Sequence, residues 1–199
     1  MQAEDAAELM DQERESDHFK QRAAIGIAFL AMLLAITSLG GSNAGKEATN
    51  NNIYASNYFA FFQAKNIRQS DMGLAADALE LGLLKDAGLD DQAKSAIRDK
   101  MDAYRKTVAR YESEPETGEG KKELLAKAKE FEEKRDHALK QDPYFDYAEA
   151  LLQIAIVLIS VSIVATLPWL AFLGGAVGLA GAALMVNGYL LLVEIPFMS

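Results

Sequence analysis

The chain has no cysteine, only two histidines and four prolines, and no lysine or arginine after Lys140. Without thiols it can form no disulfide, thiolate nucleophile or cysteine-ligated zinc site, and its cysteine usage is silent about compartment. His18 and His137 have no second strong ligand at a motif spacing: Glu133 lies one helical turn before His137, as in many surface pairs, and paired Glu-x-x-His segments are missing. Gly118-Glu119-Gly120-Lys121-Lys122 lacks the preceding strand and the Ser or Thr of a phosphate-binding turn, so it reads as a loop. The formal charge of −9 divides as −4 over residues 1–22, −3 over 46–147 and −2 beyond, so no segment is basic enough to attract nucleic acid. No metal, cofactor or nucleic-acid partner is expected. No set of nucleophile, base and oxyanion donors can be named, so no catalytic residue is assigned and the chain is not read as an enzyme.

What the chain does have is segregation. Its mean hydropathy of −0.02 averages two populations. Residues 23–39, 148–167 and 172–193 are apolar runs almost without charge, whereas 46–147 holds most of the ions. A hydrocarbon layer of ~30 Å needs about 20 apolar helical residues at ~1.5 Å each. The second and third runs meet that length, and the first meets it if residues 40–45 join it. The first 22 residues carry Glu4, Asp5, Glu8, Asp11, Glu13, Glu15 and Asp17, unlike the basic front of a secretory signal, so the first run reads as a retained anchor. The expected fold class is therefore an all-α membrane protein: three transmembrane helices with a helical hairpin or bundle inserted between the first and second. Its segments are a polar arm (1–22), a solvated helix or a disordered segment; a first span (23–45); a charged helical insert (46–142); a second span (143–170); and a third span with a short C-terminus (171–199).

Past the first span, Gly40-Gly41-Ser42-Asn43 is a weak place for a helix, which is expected to continue or kink near the membrane surface. Residues 54–62 then contain five aromatics, Tyr54, Tyr58, Phe59, Phe61 and Phe62. Spacings of three and four join Ala55, Phe59 and Phe62 on one helical face, and the cluster reads as a packing core near the membrane surface or as a ligand-binding aromatic site. The run Ala55-Ser56-Asn57-Tyr58-Phe59-Ala60-Phe61-Phe62-Gln63-Ala64-Lys65-Asn66-Ile67-Arg68, behind an anchor and the Asn-rich residues 48–52, resembles the signature of the bacterial domain-of-unknown-function family 4337. In that family an aromatic pair precedes Gln-Ala-Lys, here Phe61 and Phe62 before Gln63-Ala64-Lys65. A Trp often stands three residues before the pair, where this chain has Tyr58. The resemblance implies a short polar arm, one span, a charged helical insert and two closely spaced C-terminal spans. It implies no activity, cofactor or catalytic residue.

Met72, Ala76, Leu79 and Leu83 continue the helical spacing to a stop near Gly88, and Ser70 or Asp71 is a candidate cap for a break within 69–73. Asp90 or Asp91 caps a second helix in which Ile97, Met101, Tyr104, Val108 and Tyr111 form a heptad seam. Residues 113–120, with Pro115, Gly118 and Gly120, form a turn. Leu124, Ala128, Phe131 and Ala138 then stripe a third helix, and the two stripes read as an antiparallel helical hairpin. Both ends of the insert must return to the same membrane face, which an even number of passes does most easily. Asp142-Pro143 reads as the cap and first turn of a fresh helix carrying Tyr144, Phe145 and Tyr147 into the second span. Pro168-Trp169 closes that span, and the short link beyond it forces the last two spans into an antiparallel hairpin.

In the third span Gly174, Gly178 and Ala182 share a face that admits a close helix neighbour, either another span of the same chain or a second copy. Gln153, Asn187 and Glu194 must face protein, water or the interface, and are too few to mark an ion pathway. These features point to a membrane-anchored helical scaffold or interaction protein that self-associates, with the lipid bilayer, its own copies and a further membrane protein as expected partners. The alternative is a subunit of an oligomeric channel or transporter. Lys20 and Arg22 flank the first span, with Arg14 in reach, while the far side offers Lys46 and then nothing basic until Lys65. The arm is therefore expected in the cytoplasm of a bacterium, with the insert and the C-terminus across the inner membrane.

Overall fold

No proline falls between Glu4 and Lys85, and that stretch forms a single α-helix, α1 (Glu4–Lys85). The structure, a computed structural model, describes residues 4–85 and 88–196. After α1 come α2 (Asp91–Glu112), α3 (Lys121–Ala165) and α4 (Pro168–Leu190), with no strand among the described residues. Three of them, α1, α3 and α4, are long and apolar enough to cross a membrane.

A seven-residue repeat runs through α1. From Ala23 to Leu83, every residue reached by alternate steps of four and three is buried or half-buried: Ala23, Ile27, Leu30 and Leu34 begin the series, Ala44, Ala48, Asn51 and Ala55 continue it, and Met72, Ala76, Leu79 and Leu83 end it. A stripe with period 3.5 drifts by ~20° per heptad around an ideal helix, so it favours a partner that winds with it. The expected break at 69–73 does not occur. Gln69 lies on the stripe with its amide engaged by α2, Ser70 and Asp71 are exposed, and Met72 and Ala76 keep the repeat, so packing offsets the ~1 kcal/mol cost of Gly73.

The chain divides into two compact units, Met1–Ala48 with Asp136–Ser199, and Thr49–Arg135. In the second unit, α2 and the start of α3 both run antiparallel to α1, one after the other. Arg105 pairs with Glu80 at 2.7 Å, and Gln69 donates to the Val108 carbonyl at 3.0 Å. Lys121 then reaches Gln69 at 2.7 Å, Phe131 meets Tyr58 and Tyr54 at ring distances of 5.5 and 5.1 Å, and Arg135 donates to Asn52 at 3.4 Å. This corrects the expected hairpin of the second and third helices. Their stripes both face α1, because α1 is long enough to serve as the partner of each in turn. Asp90 is the cap of α2, its carboxylate accepting from the Ala93 N–H at 2.6 Å.

In the first unit, α1 and α4 run parallel and α3 runs antiparallel to both. Ala23, Leu30, Leu152, Ala155 and Ile159 form its core, and the buried hydroxyls of Thr37 and Ser162 donate to the carbonyls of Leu33 and Ile159. Where α3 crosses Gly40 and Gly41, a Cβ on either would lie 2.7 or 3.2 Å from Phe145. The glycine pair is where the Phe145 ring lies against the α1 backbone, and the helix passes through it uninterrupted.

Two proline readings are corrected. Pro143 lies inside α3, which does not restart there. The Leu139 carbonyl loses its donor, but Leu139 is 50% exposed, and the residues after the ring are locked in place, with Tyr144 and Phe145 each 2% exposed. Tyr144 further donates to the Val193 carbonyl at 3.0 Å and accepts the Ile195 N–H at 2.9 Å. Pro168 opens α4 instead of closing the preceding span: α3 ends at Ala165, Thr166 has φ 53°, and Pro168 stands at the start of α4, where a missing N–H costs nothing. The expected segment boundaries at 22/23, 45/46 and 142/143 thus fall inside continuous helices, and the one at 170/171 lies within α4.

Candidate interaction sites

The aromatic signature lies on α1 where α2 gives way to α3. Lys65 is 6% exposed, with its Nζ 4.9 Å from the Tyr111 ring centroid, 5.8 Å from that of Phe61, and 3.8 and 3.7 Å from Glu114 and Glu119. Its stem is packed and its charge is met by two carboxylates and two π faces. One turn on, Gln69 donates to Glu112 at 3.0 Å and accepts from Lys121 at 2.7 Å. Lys121 stands over Phe62, Lys127 over Tyr58 and Lys134 over Phe131. Tyr58 and Phe62 thus face α3, Phe59 is half-buried, and Gln63 is exposed.

The turn at 113–120 is held from both sides. Ser113 Oγ and the Glu114 N–H donate to Glu123 at 2.6 and 3.1 Å, Gly118 takes φ 67°, and Lys127 donates to its carbonyl at 3.3 Å. The Gln69 hydrogen bond, followed by Lys121, holds the Glu112 carboxyl below its ordinary range, and the Ser113 hydroxyl does the same for Glu123. Lys65, Gln69, Glu112 and Lys121 are thus engaged in joining helices. Of the α2 seam, Met101 is buried and Ile97, Tyr104, Val108 and Tyr111 are half-buried. Among the described residues no three His, Asp or Glu side chains are grouped to hold a metal ion.

The second site is the small-residue face of α4. A Cβ on Gly174 would lie 2.7 Å from Ile159 and 3.0 Å from the Ala155 carbonyl, and one on Gly178 would lie 2.7 Å from Leu30. Both glycines are therefore in contacts within the chain, whereas Ala182 is half-buried beside them. Two further glycines belong to the contact. Gly181 meets Leu152 at 3.1 Å and the Ala148 carbonyl at 3.2 Å, and Gly188 meets Phe145 at 3.0 Å, again as distances from a built Cβ. Gly174, Gly181 and Gly188 lie seven apart, a spacing present in the sequence beside the four-residue step of Gly174, Gly178 and Ala182.

The polar residues of the spans have partners. Gln153 donates to Glu149 at 3.2 Å, Asn187 exchanges two hydrogen bonds with Val193, and Glu194 pairs with Lys140 at 3.0 Å. No curated protein and no solved structure matches the chain. Residues 19–191, from the end of the polar arm to the last residue capping α4, match the family described as Domain of unknown function (DUF4337), and the chain belongs to that family.

Proposed function

We propose that this protein is a membrane-anchored helical scaffold that self-associates and presents its Thr49–Arg135 unit as an interaction module outside the bilayer. The observation that carries the reading is the unbroken repeat of α1 from Ala23 to Leu83, which gives one helix a packing face both in its apolar part and in its charged part. A helix of this kind offers a packing seam to partner helices in its anchor part and in its charged part alike. The Lys65, Gln69 and Glu123 junction supports the same role, since its charges join helices and leave no convergent set for chemistry. The membrane is read as the bacterial inner membrane, with the N-terminus in the cytoplasm.

Light scattering of the detergent-solubilised protein tests the scaffold reading: a defined mass above one chain is expected, and a strictly monomeric protein would remove self-association. Unitary conductance in planar bilayers would instead support a channel subunit.

A further inference from the structure

On the outside of the first unit, α1 and α4 leave a groove of about 540 Å³ floored by Leu30 and Gly178 and walled by Phe29, Leu33, Phe172 and Leu179. That volume is within the ~300–1,000 Å³ of small-molecule sites. Two glycines keep it open: a Cβ on Gly26 or on Gly175 would meet nothing within 4 Å. A second cleft, lined by Phe19, Arg22, Ala23 and Pro168, shares Gly26, Ile159, Ala171 and Phe172 with the first, so the two clefts adjoin in a channel-like run along the helices.

Its two ends differ. At one, Arg22 lines the cleft together with Pro168, next to the exposed Trp169. From there to Ala182 the lining is wholly apolar or small. Fourteen residues of α4 at ~1.5 Å each give a run of about 21 Å. This exceeds the depth of one leaflet, half of a hydrocarbon core of ~30 Å.

We propose that this channel binds one anionic glycerophospholipid, its phosphate on Arg22 and one acyl chain in the groove between α1 and α4. The proposal rests on the reading of α1, α3 and α4 as membrane spans. Charge complementarity decides the occupant. Among the described residues no carboxylate lines either cleft and none pairs with Arg22, while Lys20 is already paired with Asp17 at 3.3 Å, so the fork of donors that an arginine offers a phosphate falls to Arg22. A second copy of the chain would have to fit a helix over Phe172 and Leu179, which are 80% and 74% exposed and stand up from the groove as ridges. A flexible acyl chain fits between them.

The test uses the full chain in detergent, with bound dioleoyl-phosphatidylglycerol and dioleoyl-phosphatidylcholine counted by native mass spectrometry. One phosphatidylglycerol per chain is expected, at a concentration several-fold below that needed for phosphatidylcholine. Arg22→Gln, an exposed helix-surface change, should bring phosphatidylglycerol down to the phosphatidylcholine level. Gly175→Leu should remove retention of both while leaving the melting temperature unchanged, because its side chain enters open space.

Equal retention of the two lipids by the unaltered protein, or unchanged retention in Gly175→Leu, would overturn the site. Loss of assembly mass in Gly175→Leu with lipid still bound would give the groove to a second copy and also overturn it. Release of the protein from membranes by alkaline carbonate would defeat the membrane reading itself. Carbonate-resistant protein without lipid preference defeats only this proposal.

Discussion

Lys65 shows how a charged residue can take a core position. It falls on the α1 repeat where a methionine or leucine would be usual, and it is buried because its stem packs while its ammonium reaches Glu114 and Glu119, which are 21% and 55% exposed. Since water can serve both carboxylates once the ammonium is gone, Lys65→Met should change stability by less than about 1 kcal/mol. Lys65→Ala, which also removes the stem, should cost on the order of 2 kcal/mol. Thermal unfolding of the two variants separates packing from charge, and equal losses would contradict this account. The glycines of α4 make the opposite case, positions defined by having no side chain. Gly181→Leu must displace Leu152 and the α3 backbone at Ala148, and Gly178→Leu must displace Leu30, so each should lower stability by about 1–3 kcal/mol. Melting in detergent that matches the unaltered protein would show that the α3 and α4 backbones are not held together by this face.

At the scale of elements, α3 carries a proline that the helix tolerates only because of what surrounds it. Pro143→Ala restores a donor to the Leu139 carbonyl and removes the ring, and should raise stability by roughly 1–3 kcal/mol, read as a higher melting temperature. A fall would mean that the ring fills space that alanine cannot. The α2 to α3 turn makes the acid response of the Thr49–Arg135 unit predictable. Glu112 and Glu123 have folded pKa values below their ordinary 4.5, because hydrogen bonds from Gln69 and Ser113 favour the ionised form. The stability they contribute is complete above pH 4.5 and is lost as pH falls through the lower folded value. Near-ultraviolet circular dichroism should therefore show loosening only on the acid side of pH 4.5, and Glu123→Gln should flatten that dependence.

For the whole molecule, the testable property is sidedness. Ser113 would be a poor labelling position, since it is half-buried and hydrogen-bonded to Glu123, whereas Glu116 in the same turn is exposed. In a chain without cysteine, Glu116→Cys gives a single reactive thiol. A membrane-impermeant thiol reagent should label it in intact spheroplasts, because Lys20 and Arg22 favour a cytoplasmic start for the first span. Labelling only after lysis would reverse the orientation.

Composition and periodicity determined the helical class, the three apolar runs and a cap at Asp90 or Asp91, and the run around Phe61, Phe62 and Lys65 carried the family resemblance. These are local properties: hydropathy over 20 residues, a capping carboxylate three residues from its amide, a string of side chains. Which surfaces meet was decided only in three dimensions. The α2 seam was visible as Ile97, Met101, Tyr104, Val108 and Tyr111, but its partner was not, because a stripe states that a face is buried and not against what. Gln69 and Lys121 stand 52 residues apart, and nothing in either neighbourhood announces the other. By local rules Pro143 starts a fresh helix and Gly40-Gly41 is a weak place where a helix continues or kinks, because propensity is a local cost. Tertiary packing on Tyr144 and Phe145 outweighs that cost, so α3 runs on through Pro143 and α1 through its glycine pair.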